Sequence, residues 1–153
     1  MLALVANDPL DLPTLGQLLS DKEELFLVWP DARFPFDPEQ WRARLLSRPG
    51  NRSYFVADDG EIIGHAALQQ TDEPNVLAVS YLFIRPDRRG RGSGRELIAL
   101  LEAEARNTPD VWALKLRVRT YNPRALHIYE TSGFVRAEQD DTLVLMRKDL
   151  KPF

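Results

Sequence analysis

A glycine- and arginine-rich turn joins an apolar strand to an amphipathic helix near the middle of the chain. Val76–Ile84 is an apolar run typical of a buried strand, and Pro86 ends it. Beyond the turn, apolar residues recur at helical spacing, which predicts a helix over Ser93–Arg106. A glycine-rich turn that opens a helix exposes backbone N–H groups beside the positive end of the helix dipole, and such groups bind phosphate. The turn therefore predicts both a strand–turn–helix unit and a polyanionic ligand.

The turn matches neither of the common nucleotide-binding patterns. A P-loop needs Gly-Lys-Ser/Thr, whereas Gly94 is followed by Arg95 and Glu96. A dinucleotide fingerprint needs a third glycine at the position that Arg95 occupies. What remains is Arg89-x-x-Gly92-x-Gly94, and an ordinary arginine-rich turn is the alternative interpretation.

A second motif follows closer to the end of the chain and predicts a short, well-capped helix. Asn122 is a good N-cap, Pro123 suits the first helical position, and Gly133 suits the left-handed residue that ends a helix. Asn122 and Tyr129 lie seven residues apart, so they share one face of this helix. The alternative is that Tyr129 is only a half-buried packing residue.

Together the two motifs resemble those of the GCN5-related N-acetyltransferases (GNAT). Arg89-x-x-Gly92-x-Gly94 is similar to the family's coenzyme A pyrophosphate loop, Arg/Gln-x-x-Gly-x-Gly/Ala. The second motif is similar to the family pattern Asn-x-x-Ala-x-x-x-Tyr-Glu-x-x-Gly-Phe. The matching residues are Asn122, Ala125, Tyr129, Glu130, Gly133 and Phe134. The motifs occur in the family's order and cover about the last half of the chain.

Periodicity along the chain predicts alternating strands and helices, hence an α+β fold with helices on both faces of a sheet. The predicted strands are Leu2–Ala6, Ser53–Ala57, Ile62–Gln69, Val76–Ile84, Ala113–Thr120 and Thr142–Arg147. The predicted helices are Leu12–Ser20, Pro38–Ser47, Ser93–Arg106 and the segment after Asn122, and Lys22–Val28 is a short apolar-periodic segment. The resemblance implies a central mixed, mostly antiparallel sheet that is splayed between its fourth and fifth strands. One domain is expected over residues 1–153.

The resemblance implies acetyl-CoA as the acyl donor and assigns its binding largely to the main chain. The pyrophosphate is expected on Arg89 and the amides of Gly90, Arg91, Gly92, Ser93, Gly94 and Arg95. The pantetheine arm and the thioester carbonyl are expected on main-chain groups of Leu82, Phe83 and Ile84. Asn122 is expected to contact the cofactor as well as to cap its helix. Arg88, Arg91 and Arg124 are candidates for the adenosine 3′-phosphate, or solvated surface residues.

By the same resemblance, Tyr129 is the expected general acid. A phenol with a pKa near 10 stays protonated at neutral pH and donates a proton to a departing thiolate. The chain has no cysteine, so an acyl-cysteine intermediate is excluded. We therefore expect direct transfer, within a ternary complex, to a primary amine of a small molecule or peptide. An acyl-CoA-binding sensor domain without turnover is the alternative.

The general base and the acceptor stay open. Where the family's ribosomal-protein N-terminal acetyltransferases carry a glutamate base, this chain has Arg117. Other residues near the expected cleft are His65, Glu73, Ser80 and Tyr81. We expect His65 to be a satisfied core histidine and Glu73 a solvated turn residue. Trp29–Phe36 is either an acceptor wall or a loop core.

Composition limits the remaining possibilities. With 153 residues, 44% of them hydrophobic, the chain is long enough for one domain with a core. The net charge of −3 argues against general affinity for nucleic acid, and no apolar run is long enough for a membrane helix. The lack of cysteine fits a cytoplasmic protein and excludes thiolate metal sites, so no metal is expected. Dimers are frequent in the family, so a homodimer is an open expectation.

Overall fold

Seven strands lie within residues 1–151, the part of the chain that this computed structural model describes. They are β1 Leu2–Ala6, β2 Arg52–Asp58, β3 Glu61–Gln70, β4 Val76–Ile84, β5 Ala113–Arg119, β6 Val135–Gln139 and β7 Leu143–Asp149. They form one sheet in the order β1–β2–β3–β4–β5–β7–β6. Every neighbouring pair is antiparallel except β4 and β5, which are parallel. Residues 152 and 153, the end of the predicted single domain, lie outside the described residues, and the single domain stays a prediction.

Five α-helices connect these strands within residues 1–151. They are α1 Leu12–Leu18, α2 Lys22–Val28, α3 Pro38–Leu45, α4 Ser93–Arg106 and α5 Pro123–Thr131. Side-chain caps explain where four of them begin. The oxygens that accept N–H groups of the first turn belong to Asp11, Asp21, Asp37 and Asn122. Helix α4 instead begins at a left-handed glycine, and its first N–H groups have no side-chain cap.

The helices cover both faces of the sheet and create two cores. The α4–α5 core includes Leu97, Ile98, Leu101 and Leu126 together with apolar residues of every strand except β6. The α1–α3 core includes Leu15, Leu25, Trp41 and Phe83. The predicted mixed α+β fold is therefore confirmed. Within the described residues, no helix is long and apolar enough to cross a membrane.

The sequence analysis did not predict two elements of the structure. Strand β6 was not predicted: all five of its residues are exposed, and only Val135 and Ala137 are apolar, so the apolar pattern is very short. A short 3₁₀ turn, Pro86–Arg88, lies between β4 and the glycines. Several other boundaries differ from the predicted ones by one or two residues, whereas β4 and α4 have the predicted bounds.

Candidate functional site

The sheet opens between β4 and β5. These strands pair only over the three residues Val76–Ala78, and pairing stops beyond Lys115 of β5. On their other edges the strands remain paired, β4 with β3 and β5 with β7. The gap between Val79–Ile84 and Leu116–Arg119, here called the β4–β5 opening, therefore exposes strand edges to a ligand. The predicted splay between the fourth and fifth strands is confirmed.

A β-bulge lies on the β4 side of this opening. Tyr81 and Leu82 of β4 together lie opposite the single residue Ala66 of β3. The bulge reverses the facing of the strand, because Val79 packs in the α4–α5 core whereas Tyr81 packs in the α1–α3 core. Tyr81 has a φ of +54°, a left-handed conformation that costs a non-glycine residue about 1–3 kcal/mol. Such strained bulges commonly redirect backbone and side chains at functional sites.

Behind the bulge, a buried polar chain holds its carbonyl. The fully buried His65 donates from Nδ1 to the carbonyl oxygen of Tyr81 at 2.9 Å. Its Nε2 accepts from the Ser53 hydroxyl at 2.7 Å, and Ser53 Oγ accepts from the Asn7 amide at 3.1 Å. Burial lowers the pKa of His65 to about 4, so this ring is neutral at pH 7. The predicted satisfied core histidine is confirmed, and its contact positions the bulge.

The glycine loop, residues 89–92, leads from β4 into α4. Gly90 and Gly92 are left-handed, with φ values of +83° and +78°, and a Cβ on Gly92 would meet no atom within 4 Å. The Glu96 N–H donates to the Gly92 carbonyl at 3.1 Å. The N–H groups of Ser93, Gly94 and Arg95 have no acceptor within residues 1–151. This open end of α4 therefore presents three free amide donors, as an anion site requires.

Gly94 has a packing role in addition to its exposed amide. A Cβ at this position would lie 3.0 Å from Cδ1 of Ile128 on α5. A glycine here lets the start of α4 approach α5 closely, which also brings the second motif beside the glycine loop.

The Arg89 side chain is engaged within the protein. Its Nε donates to the Ile84 carbonyl at 2.8 Å, and its two Nη atoms donate to the Glu24 carboxylate at 3.1 and 2.6 Å. Arg89 thus ties α2 to the end of β4 and positions the glycine loop. A direct contact of Arg89 with a pyrophosphate stays a prediction.

The other arginines around the loop differ in their partners. Arg88 pairs with Asp58 at 3.0 Å and also with Glu61. Beside the loop, the exposed Arg91, Arg95 and Arg124 have no ion-pair partner within the described residues. Of these, Arg124 places Nη2 3.8 Å from the position of a Cβ on Gly90. Of the three arginines predicted for the 3′-phosphate contact, Arg91 and Arg124 are therefore better candidates than Arg88.

Helix α5 presents the second motif. Asn122 Oδ1 accepts from the Ala125 N–H at 3.3 Å, which confirms the predicted cap. Tyr129 is half-buried, and its ring centroid lies 6.1 Å from that of Phe134 in an edge-on contact. Its hydroxyl forms no hydrogen bond within residues 1–151. Burial raises the pKa of Tyr129 to about 12, so the hydroxyl is a protonated donor at neutral pH.

Comparison with known proteins shows which family shares these motifs. A family model described as the acetyltransferase (GNAT) family matches residues 15–134, which is well over half of the chain. The chain belongs to the GNAT acetyltransferase family. That family is one of acetyltransferases, the enzyme class that the two motifs predict.

The match covers a different share of the length of each GNAT relative. An acetyltransferase of Sodalis glossinidius is 30% identical over 135 residues, covering 85% of this chain and 89% of that protein. The mycothiol acetyltransferase of Streptomyces griseus is 40% identical over 77 residues, 49% of this chain. The chain spans only 25% of the length of that curated relative.

Among solved GNAT structures, the spermidine N-acetyltransferase of Vibrio cholerae in complex with CoA and spermine superposes with a TM-score of 0.80. The match covers 97% of this chain and 95% of that one at 21% identity, so it supports the fold.

The residues considered as the general base of this GNAT site are mostly engaged elsewhere. His65 is fully buried. Glu73 binds Lys115 at 3.1 Å and Arg147 at 3.0 Å, and these contacts, with Lys115 the stronger, hold the pKa of Glu73 below its usual range. The Tyr81 hydroxyl accepts from Arg44. Ser80 is half-buried and takes part in none of these contacts, and Arg117 is exposed at the position of the family's glutamate.

The aromatic loop is mainly a core. The Trp29 and Phe36 ring centroids lie 5.0 and 5.7 Å from that of the buried Trp41, whereas Phe34 is 45% exposed. Sequence reasoning missed the contact of Arg44 with Tyr81 in this region, since the two residues are 37 positions apart. Within residues 1–151, no group of three His, Asp or Glu side chains is placed to hold a metal ion.

Proposed function

We propose that this GNAT chain transfers the acetyl group of acetyl-CoA to a primary amine of a small molecule or peptide within a ternary complex. The observation that carries the proposal is the β4–β5 opening, with a bulged strand edge on one side and free α4 amides next to it. The CoA and spermine in the complex of the Vibrio cholerae spermidine N-acetyltransferase support this donor and acceptor class.

The donor site is built mainly from backbone. The amides from Gly90 to Arg95 bind the pyrophosphate, and the open space over Gly92 leaves room for it. Main-chain groups of Leu82, Phe83 and Ile84 hold the pantetheine arm and stabilise the thioester oxyanion. Asn122 contacts the cofactor from the start of α5.

Tyr129 supplies the proton that the reaction needs. The amine nitrogen attacks the thioester carbonyl carbon, the carbon–sulfur bond breaks, and the Tyr129 hydroxyl donates its proton to the departing thiolate. Solvent in the opening carries the proton released by the amine back to the tyrosinate. An alkyl amine is mostly protonated at pH 7, which costs about 4–5 kcal/mol at about 1.36 kcal/mol per pKa unit. The rate is therefore expected to rise with pH above neutrality.

An acyl-CoA-binding sensor without turnover is the competing proposal. The observation in its favour is Arg117 at the position of the family's glutamate base. The free, protonated hydroxyl of Tyr129 favours an enzyme, since a sensor has no need of a proton donor in the opening.

Thermal unfolding with acetyl-CoA tests the donor site, with ATP and NADH as controls. A ligand at 100 times its dissociation constant stabilises by about 2.7 kcal/mol, which is a shift of several degrees for a domain of this size. A shift with acetyl-CoA alone supports the site, and thiol release with amines then separates enzyme from sensor. The absence of cysteine removes any protein background from the thiol assay. No shift at saturating acetyl-CoA contradicts the proposed function.

A further inference from the structure

The α1–α3 side of the β4–β5 opening carries a positively charged group that the donor site does not use. Arg44 of α3 donates from Nε to the hydroxyl of Tyr81, the residue that the bulge turns toward this side. The Arg44 guanidinium carbon also lies 5.6 Å from the ring centroid of Trp29, within the range of a cation–π contact. These two contacts fix Arg44 while its Nη atoms stay free to bind a ligand.

A second guanidinium lies on the facing strand. Leu116 and Val118 of β5 pack in the α4–α5 core, so Arg117 between them points to the opposite side of the sheet. That is the side of Tyr81. Burial raises the pKa of Tyr81, and the charges of Arg44 and Arg117 both oppose this rise, which is consistent with their lying near the same hydroxyl.

Neither guanidinium has a counterion in the protein. Within residues 1–151, Arg44 and Arg117 form no ion pair. Glu24 of α2 and Glu73 of the β3–β4 connection are engaged with other partners, Glu24 with Arg89 and Glu73 with Lys115 and Arg147. Two like charges that converge without a counterion repel each other, and an anion between them relieves that repulsion.

We propose that Arg44 and Arg117 bind a carboxylate of the acceptor, so that the acceptor is a small amine that carries an acid group, such as an amino acid. This inference rests on the proposed acetyl transfer. Guanidinium groups bind carboxylates through paired, charge-assisted hydrogen bonds. With its carboxylate held on this side, the acceptor presents its amine to the bulged edge of β4. The same two charges repel polycationic acceptors.

A panel of matched acceptors tests the proposal. Amino acids are compared with their amides and with the corresponding decarboxylated amines, and spermidine and kanamycin represent the polycations. Thiol release from acetyl-CoA is the readout. We expect kcat/KM to be at least about tenfold higher for the best amino acid than for its own amide. Two results overturn the proposal. One is that amides and polycations are turned over as well as amino acids, and the other is that no amino acid is turned over although acetyl-CoA stabilises the protein.

Substitutions assign the effect to the two arginines. We expect Arg44→Gln and Arg117→Gln each to raise KM for the amino acid about tenfold, with little change for its amide and none in the affinity for acetyl-CoA. Arg42→Gln is the matched control, since Arg42 is an exposed arginine of the same helix that lies 3.6 Å from Glu39. Because Arg44 packs on Trp29, Arg117→Gln decides the outcome if the Arg44 variant fails to fold.

The failure of the carboxylate site and the failure of acetyl transfer give different results. Equal losses for the acid and its amide overturn the carboxylate site and leave acetyl transfer standing. A protein that acetyl-CoA fails to stabilise overturns the proposed function, and the carboxylate site falls with it.

Discussion

The two sides of the β4–β5 opening are built in different ways. On the α4–α5 side, the groups offered to a ligand are mainly backbone amides and one tyrosine, and they come from two continuous motifs. On the α1–α3 side, they are the side chains of Arg44, Tyr81 and Arg117, which come from three separate elements. A donor site shared by a family can therefore be predicted from contiguous sequence, whereas an acceptor site depends on how distant segments meet.

The bulge of β4 joins the two sides. Its backbone edge belongs to the donor site, and the Tyr81 side chain that it redirects belongs to the acceptor side. A change that acts on one side only should therefore leave the other intact, and a change at the bulge should affect both.

The largest expected effect is a loss of acetyl-CoA affinity from a substitution on the donor side alone. Gly92→Glu places bulk and negative charge against the pyrophosphate, so we expect acetyl-CoA affinity to fall at least about a thousandfold, measured by calorimetry. Gly60→Glu is the matched control, because Gly60 has a similar φ of +87° and equally open surroundings in the β2–β3 hairpin. Affinity retained in the Gly92 variant means that the loop is misassigned.

Tyr129→Phe should separate chemistry from binding on the same side. We expect kcat to fall about a hundredfold, as loss of a general acid does, with acetyl-CoA affinity nearly unchanged. Because the Tyr129 pKa is about 12, activity should not decline through its ionisation at pH 10. Tyr54→Phe serves as the control, because Tyr54 lies beside Glu104, near the other end of α4. Equal activity of the two variants removes the acid role of Tyr129.

His65 probes the bulge that both sides share. His65→Leu leaves the Tyr81 carbonyl without its donor, so we expect kcat to fall about tenfold and KM for the acceptor to rise. His65→Asn places an amide N–H near the position of Nδ1 and should restore part of the activity. If His65→Leu lowers stability but leaves both kinetic constants unchanged, His65 fills the core without positioning the bulge.

The stability of the wild-type protein should also depend on His65. The folded-state pKa is about 4 and the unfolded value is about 6.5, so the unfolded chain binds the proton more tightly. The contribution of neutral His65 to the free energy of unfolding is present above pH 6.5. It declines as the pH falls toward 4, by up to about 3 kcal/mol. Urea unfolding of the wild type and His65→Asn at pH 7 and pH 5 measures this difference, and identical pH slopes contradict it.

The smallest expected effect distinguishes the two roles of Asn122. Asn122→Ala removes the cap of α5 and should lower the free energy of unfolding by about 1 kcal/mol. Asn122→Ser restores a capping oxygen. If acetyl-CoA affinity recovers together with stability in the serine variant, Asn122 acts only as a cap, whereas affinity lost in both variants supports a direct contact.

Elements with a local sequence pattern could be predicted, and contacts between distant segments could not. The bounds of β4 and α4 follow from apolar runs and helical spacing, so they could be predicted to the residue. The bulge could not, because Tyr81 looks like any strand residue until the register with β3 is known. The role of His65 depends on Ser53 and Tyr81, which lie 12 and 16 positions away in sequence. Strand β6 is exposed throughout and has only two apolar residues, Val135 and Ala137, so its pattern is too short to stand out.

Arg89 shows a limit of reasoning from motifs. The motif position predicts a pyrophosphate contact, which stays a prediction, and it gave no sign of the contacts that the guanidinium makes with Glu24 and the Ile84 carbonyl. A motif preserves the position of a residue, but only the neighbours from other elements decide what its side chain binds.

The central claim is that backbone amides at the opening bind the donor. An NMR titration with coenzyme A that follows each amide resonance tests it most directly. We predict the largest shifts at Gly92–Arg95 and Leu82–Ile84, with Tyr129 affected and the exposed strand β6 unchanged. Saturable shifts confined to the α1–α3 side, or none at either segment, would contradict the account.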